Sequence, residues 1–310
     1  MEERGRSPMS SVVPVVLFVY KRTDVLSRTL ESLRRDNIPR LIVFSDGAKN
    51  DGDAAGVQNV RQLIFGIDWC EKEVFVRDCN LGLGKNILLG VTSVLERYES
   101  CIVFEDDLEC VVGTYRYLCA ALSQYRDNPK VYSVTAFTNR HIVPKGLGCS
   151  PYFDLRPECL AWGTWRRAWI GMMEETALEK MNAFAAMGGD PRGHGGDLPY
   201  MAKIELDRNI WAVRHAFHHM QHGGLCMKPP WSMVNHIGWS DAATNSRKKS
   251  WEDNGVLAEC PPVPERWPAA EEHPLCAAID RKMYPRPWVD VFPRAVPLIR
   301  RALKAVGIDI

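Results

Sequence analysis

The chain is expected to fold as an α/β protein, with a central, mostly parallel sheet flanked by helices and a less regular second half. Short apolar runs recur about 30 residues apart through the first third of the chain. A segment of helical period follows each of the first three. The runs are continuous rather than alternating, as suits strands buried on both faces of a parallel sheet.

The first run, VVPVVLFV (12–19), reads as a buried strand. In TDVLSRTLESLRR, Thr23 is the expected N-cap, and Val25, Leu26, Thr29, Leu30 and Leu33 share one helical face. LIVFSDG (41–47) is a second strand ending in a turn, 51–66 a helix, and EVFVRD (73–78) a third strand. NILLGVTSVLERY (86–98) is an amphipathic helix, and CIVFEDD, from Cys101, a fourth strand. Beyond it, VVGTYRYLCAALSQY (111–125) reads as a helix and VYSVTAF (131–137) as a strand. CLAWGTWRRAWIG places Trp165 and Trp169 four apart on an expected helix, and 198–220 reads as one long helix. WSMVNHIGWSDAATNS is loop-rich, the chain is Pro-rich from about 260, and PRAVPLIRRALKAVGI reads as a short basic terminal helix. The expected organisation is a flexible N-terminus (1–11), a ligand-binding half (12–135), a catalytic half of the same domain (136–258) and a C-terminal extension (259–310).

At 310 residues and 46% hydrophobic, the chain can bury a substantial core. Its net charge of +1 creates no global field for nucleic acid. No apolar run reaches the length of a membrane-spanning helix, and MEERGRSPMSS does not resemble a secretory signal. The ten cysteines are scattered without a CxxC pair, which suits reduced thiols and a cytoplasmic location.

Open α/β sheets bind ligands outside the carboxyl ends of their strands. Those ends carry Tyr20, Lys21 and Arg22, then Ser45 and Asp46, then Arg77 and Asp78, then Glu105, Asp106 and Asp107. Three consecutive carboxylates at the mouth of a buried strand repel one another. Their strong physical use is to hold a divalent metal that in turn holds a diphosphate; the alternative is a solvated turn before a helix. NLGLGKN (80–86) has neither the GxxxxGK[ST] nor the GxGxxG spacing, so it reads as a turn entering a helix, able to bring backbone close to a ligand.

Taken in order, FVYKR, FSDGAKN, VRDCNLGLGKNILLGV and IVFEDDLE resemble inverting family 2 type glycosyltransferases of GT-A fold. The pattern is closest to bacterial sugar transferases with an EDDLE signature. These are similar to the animal N-acetylglucosaminyltransferase that starts complex N-glycans. The resemblance covers roughly residues 12 to 250. It implies a nucleotide-sugar donor, UDP-linked by preference, a glycan or small-molecule acceptor, and Mn²⁺ or Mg²⁺. By motif position, Asp107 would ligate the metal, Asp106 contact the ribose, and Glu105 support the donor sugar or metal-bound waters. Asp46 would face the nucleobase. Arg77 and the turn containing Asn80 and Lys85 would line base and ribose, with Tyr20 and Arg22 at the same pocket.

On the acceptor side, AWGTW resembles the family's Trp-Gly loop, so Trp162 and Gly163 would form a substrate wall and Trp169 would pack. An inverting transfer needs a carboxylate to take the acceptor proton. Where the family has an acid two residues before a tryptophan, this chain has Asn209 before Trp211. Asp207, four before Trp211, is the first choice for the base, Asp197 the second, and loss of the base the third reading. His215, His218, His219 and His222 share a helix face, and a solvated or substrate-facing helix end outweighs a zinc site there. Asn235 and His236, with Gly238 and Asp241, would form a lid. The terminal basic helix would pack or touch a membrane surface. The competing functions are a sugar nucleotidyltransferase and a homologue that binds sugar nucleotide or glycan without turnover.

Overall fold

The computed structural model describes residues 12–238 and 262–287. Its elements run β1 (Val15–Val19), α1 (Thr23–Arg35), β2 (Arg40–Ser45), α2 (Asp51–Phe65), β3 (Glu71–Val76), α3 (Leu83–Leu95), β4 (Ser100–Glu105), β5 (Leu108–Cys110), α4 (Thr114–Gln124) and β6 (Val131–Thr135). They continue as β7 (Tyr152–Asp154), β8 (Trp162–Trp165), α5 (Arg166–Trp169), α6 (Ala177–Ala186), α7 (Leu198–Lys203), α8 (Glu205–Arg208), α9 (Trp211–His222), β9 (Leu225–Lys228), β10 (Val234–His236) and α10 (Cys276–Met283).

The main sheet has the order β3-β2-β1-β4-β8-β6-β9-β7. The neighbours β3, β2, β1 and β4 pair in parallel, as do β6 and β9; β8 and β7 run antiparallel to their neighbours. The expected α/β architecture is therefore observed. Alternate residues explain the continuous apolar runs. Val15, Leu17 and Val19 enter one core, and Val16 and Phe18 enter the other. The same division separates Leu41 and Val43 from Ile42 and Phe44, and Ile102 and Phe104 from Cys101 and Val103. Helix α1 covers the first face with Leu26, Leu30 and Leu33. Helix α3 covers the second with Ile87, Leu88, Val91 and Val94. The edge strand β3 carries Glu71, Lys72 and Glu73, which disfavour pairing with another chain.

Several local expectations are corrected. Thr23 is the first helical residue of α1; Arg22 occupies the cap position, and no side chain caps it. The segment 198–220 is three helices rather than one, broken at Asn209, whose φ of 54° is left-handed. AWGTW forms strand β8, antiparallel between β4 and β6, instead of a loop and helix. Because side chains alternate in a strand, Trp162 and Trp165 lie on opposite faces of the sheet. Trp162 is 1% exposed and stacks on Trp169 and Trp211, with ring centroids at 5.8 and 5.2 Å. A Cβ at Gly163 would meet Leu122 and the Cys101 carbonyl. Neither residue can present an open acceptor wall. Trp169 packs as expected, donating from Nε1 to Thr92 Oγ1 at 2.9 Å.

His215, His218 and His219 belong to the core, while His222 is exposed at the end of α9. His215 lies among Trp162, Trp169 and Trp211. His218 Nε2 is 3.0 Å from the Ala168 carbonyl, and His219 Nε2 is 2.9 Å from Ser133 Oγ. Burial pulls the pKa of His218 down to about 4 and that of His219 to about 3, so both are neutral, and neither makes a solvated helix end. The described part of the Pro-rich extension packs on the second half of the sheet: Trp267 lies against Tyr117 and Tyr125, and Phe153 bridges to Glu272. The N-terminal eleven residues and the segment expected as a terminal basic helix lie outside the described residues. No described helix is long and apolar enough to cross a membrane.

Replacing Trp162 by Ala should destabilise the fold by about 3–5 kcal/mol, as for other large buried aromatics. Urea unfolding measures this, and a loss below about 1 kcal/mol would be the mark of an open wall instead.

Candidate active-site cleft

A cleft of about 390 Å³ opens at the carboxyl ends of β1, β2 and β4. Its walls include Tyr20, Arg22, Asp46, Asn80, Glu105, Asp106, Asp107 and His236, all anticipated from the sequence. They meet because each strand is apolar to its last residues, so the first polar group of each connection falls on the same edge.

Asp46 braces the floor. Its Oδ1 accepts from the Gly47 and Leu81 amides at 2.9 and 2.8 Å. Its Oδ2 accepts from the Gly82 amide at 3.0 Å and Asn80 Nδ2 at 3.1 Å. The NLG turn is thereby closed onto the end of β2. Gly82 adopts φ 74° there, and a Cβ would strike Asn209 Nδ2. Asn209 completes the turn by donating from Nδ2 to the Leu81 carbonyl at 3.2 Å and accepting from the Lys85 amide at 2.9 Å. With Arg208 it lines the cleft. The sequence signal for Asn209 was its place two residues before Trp211, read only as a mismatch.

The acidic triplet is unequal. Burial and the neighbouring charges of Asp107 and Asp106 push Glu105 well above the usual carboxylate range, against the pull of Arg22. Burial and repulsion from Asp107 raise Asp106 to about 6, opposed by Arg22 and the Tyr20 amide. That amide donates to Asp106 Oδ2 at 3.1 Å. Burial also acts to raise Asp107, but His236 and Arg22 outweigh it and hold this carboxylate below its usual range. Arg22 Nη2 donates to Asp107 Oδ2 at 2.6 Å, and His236 Nε2 lies 3.3 Å from the same oxygen. Arg22 also reaches Asp106 Oδ1 at 3.4 Å and the Gly238 carbonyl at 3.0 Å. On the far wall, Tyr20 donates its hydroxyl to Asp53 Oδ2 at 2.6 Å, and burial with this bond lifts its pKa to about 12.

Other sequence-predicted residues lie elsewhere. Arg77 is absent from the cleft walls; its Nε donates to Asn86 Oδ1 at 3.1 Å, and its guanidinium covers the Phe44 ring. Lys85 is exposed on the first turn of α3. Asn235 and His236 belong to β10, antiparallel to β5, so ladder pairing holds them where a loop was expected. Asp241 lies outside the described residues. Asp207 is exposed on α8 and lines no part of the cleft, because the break at Asn209 removes the shared helix face with Trp211. Asp197 is also outside the cleft, in a bidentate pair with Arg156 at 2.9 Å for both bonds.

Asp107 with its acidic neighbours could receive a hard cation, since two of the three carboxyls are raised by burial and by repulsion from their neighbours, and a cation relieves the repulsion. Among the described residues, three metal-type donors converge at a separate place, Asp154, His194 and Asp280.

No protein-family model and no curated protein matches the chain. Among solved structures it is similar to the mannosyltransferase PcManGT from Pyrobaculum calidifontis, in complex with GDP-Man and Mn²⁺. That match has 12% identity and a TM-score of 0.43, and covers 77% of this chain and 62% of that one. It is also similar to a 4-diphosphocytidyl-2C-methyl-D-erythritol synthase from Anaerococcus prevotii, at 9% identity and a TM-score of 0.33, over 53% of this chain and 76% of that one. Likenesses this distant assign no activity, and they lend no support to the specific link with the animal N-acetylglucosaminyltransferase.

Because Asp106 is raised from 3.8 to about 6, the folded state holds its proton more tightly than the unfolded chain. Its contribution to stability is complete below pH 3.8 and is lost as pH rises towards 6. In metal-free buffer, Asp106→Asn should therefore gain stability over the parent by on the order of 1–3 kcal/mol between pH 4 and pH 7. Denaturant midpoints across that range measure it; a difference independent of pH would contradict the raised carboxyl.

Proposed function

We propose that the protein is a metal-dependent glycosyltransferase of GT-A type, moving a sugar from a nucleoside-diphosphate sugar to an acceptor hydroxyl. The observation that carries this reading is the meeting of the Asp46-braced turn, Arg22 and three consecutive carboxylates in one cleft at the carboxyl edge of a parallel sheet. Mn²⁺ or Mg²⁺ held by Asp107 would neutralise the diphosphate of the donor and of the leaving nucleotide. Asp106 and the turn at Asn80 and Gly82 form the wall offered to ribose and base. The preference for uridine and the inversion of configuration rest on motif resemblance alone. A glycan, a lipid-linked sugar and a small natural product are all acceptors of the right chemistry.

With Asp207 and Asp197 outside the cleft, the acceptor's proton goes to a cleft carboxylate in this reading. Glu105 is the choice: it lines the cleft, and burial with the charges of Asp107 and Asp106 raises its affinity for a proton. Binding of a sugar nucleotide without turnover is the second reading. It is favoured by Asn209 standing in the cleft at the position where the motif resemblance expects an acid.

In a thermal-shift series of nucleotides and nucleotide sugars, UDP or a UDP-sugar should stabilise the protein only with Mn²⁺ or Mg²⁺, and Asp107→Ala should lose that shift. No shift with any nucleotide sugar would sink the donor assignment. Glu105→Gln should keep the shift and lose at least roughly 10²-fold in transfer rate. Full transfer by Glu105→Gln would move the base elsewhere, and donor binding with no transfer by the parent across acceptors would favour the second reading.

A further inference from the structure

Over one face of the sheet, at β7 and β9, a second cluster of ionisable groups is buried away from the cleft. Asp154 ends β7, Lys228 ends β9, His194 comes from the turn after α6, and Asp280 comes from α10. Asp154, His194 and Asp280 are 2%, 7% and 1% exposed. His194 Nδ1 lies 3.4 Å from Asp154 Oδ1 and 3.3 Å from Asp280 Oδ2. Its other nitrogen, Nε2, is 3.2 Å from Glu272 Oε1.

We infer that Asp154, His194 and Asp280 form a zinc site, distinct from the donor cleft, that fastens the C-terminal segment to the sheet. The distances favour a cation between the three side chains over hydrogen bonds among them. One Nδ1 proton cannot serve two carboxylate oxygens well, and charge-assisted N–H···O bonds run at about 2.7–2.9 Å, shorter than either separation. A tetrahedron built on zinc–nitrogen and zinc–oxygen bonds of about 2.0–2.2 Å has edges of roughly 3.3–3.5 Å, which both separations match.

The surroundings are those of ligating groups. Nε2 faces Glu272, the outer carboxylate that commonly orients a metal-bound imidazole. Asp154 uses its second oxygen for Lys228 Nζ at 2.6 Å, and its first accepts the Arg156 amide at 3.0 Å. The His194 carbonyl is held by Arg156 Nη1 at 2.9 Å, which sets the turn. Lys228 Nζ faces Asp154 at 2.6 Å and Glu158 at 3.8 Å, while Glu272 and Asp280 face His194. A protonated His194 brings one positive charge among these carboxylates, and Zn²⁺ brings two with a neutral imidazole. Three protein ligands leave the fourth position to water.

This site does not depend on the glycosyltransferase reading, and its test reads metal rather than transfer. The full chain, purified without chelator, should carry about one zinc per molecule by elemental analysis. Removing it with a chelator should lower Tm by roughly 5 °C or more, with recovery on adding Zn²⁺. Co²⁺ added to the stripped protein should give the intense visible absorption of a tetrahedral ion. Asp280→Asn and His194→Ala should lose the metal, and Asp107→Ala should keep it. The inference falls if the stripped parent binds neither Zn²⁺ nor Co²⁺ stoichiometrically. It also falls if bound metal survives in Asp280→Asn and disappears in Asp107→Ala. Because the Co²⁺ spectrum is read on the parent chain, a variant that fails to fold leaves the test intact.

Discussion

Burial of β1, β2 and β4 on both faces is the constraint from which the candidate site follows. A strand covered on both sides admits no unpaired polar side chain along its length, since each would cost solvation without return. Polar groups are therefore displaced to the strand ends. In a parallel array those ends lie on one edge, so Tyr20, Asp46 and the acidic triplet converge although they are scattered over 88 positions of the chain.

Convergence creates an electrostatic problem that local contacts only partly solve. Arg22 and His236 compensate Asp107. Asp106 has the Tyr20 amide and a longer contact to Arg22. Glu105 is raised by burial and by both neighbouring carboxylates, against the pull of Arg22. Asp46 shows the opposite solution: four donors from the adjoining turn satisfy its two oxygens, so it shapes the cleft as well as lining it. An excess of negative charge beside a turn of glycines and amides is what a phosphate-bound cation would relieve.

The first half of the fold was legible because its signals are local. Five-residue apolar strands and helices with one buried face announce themselves by period, and the boundaries differ from the expected ones by a few residues. The second half was less legible because its elements are defined by distant partners. AWGTW is a strand only because β4 and β6 flank it, and that pairing buries Trp162 where a substrate wall was expected. The segment around Asp207 has helical period throughout, yet Asn209 turns left-handed to meet the Gly82 turn some 128 positions away in sequence. The burial of His215 and His219 carried no sign in the sequence, since their partners are tryptophans and serine from other elements.

By itself, then, the sequence determined the α/β class and most of the cleft walls, because apolar burial pushes polar residues to strand ends wherever a strand is long enough to read. Tertiary structure decided which of those groups share charge, which aromatic residues are buried and where the second ionisable cluster forms. Asp154, His194 and Asp280 show the reason: no spacing links them, and only the docking of α10 on the sheet brings their side chains together.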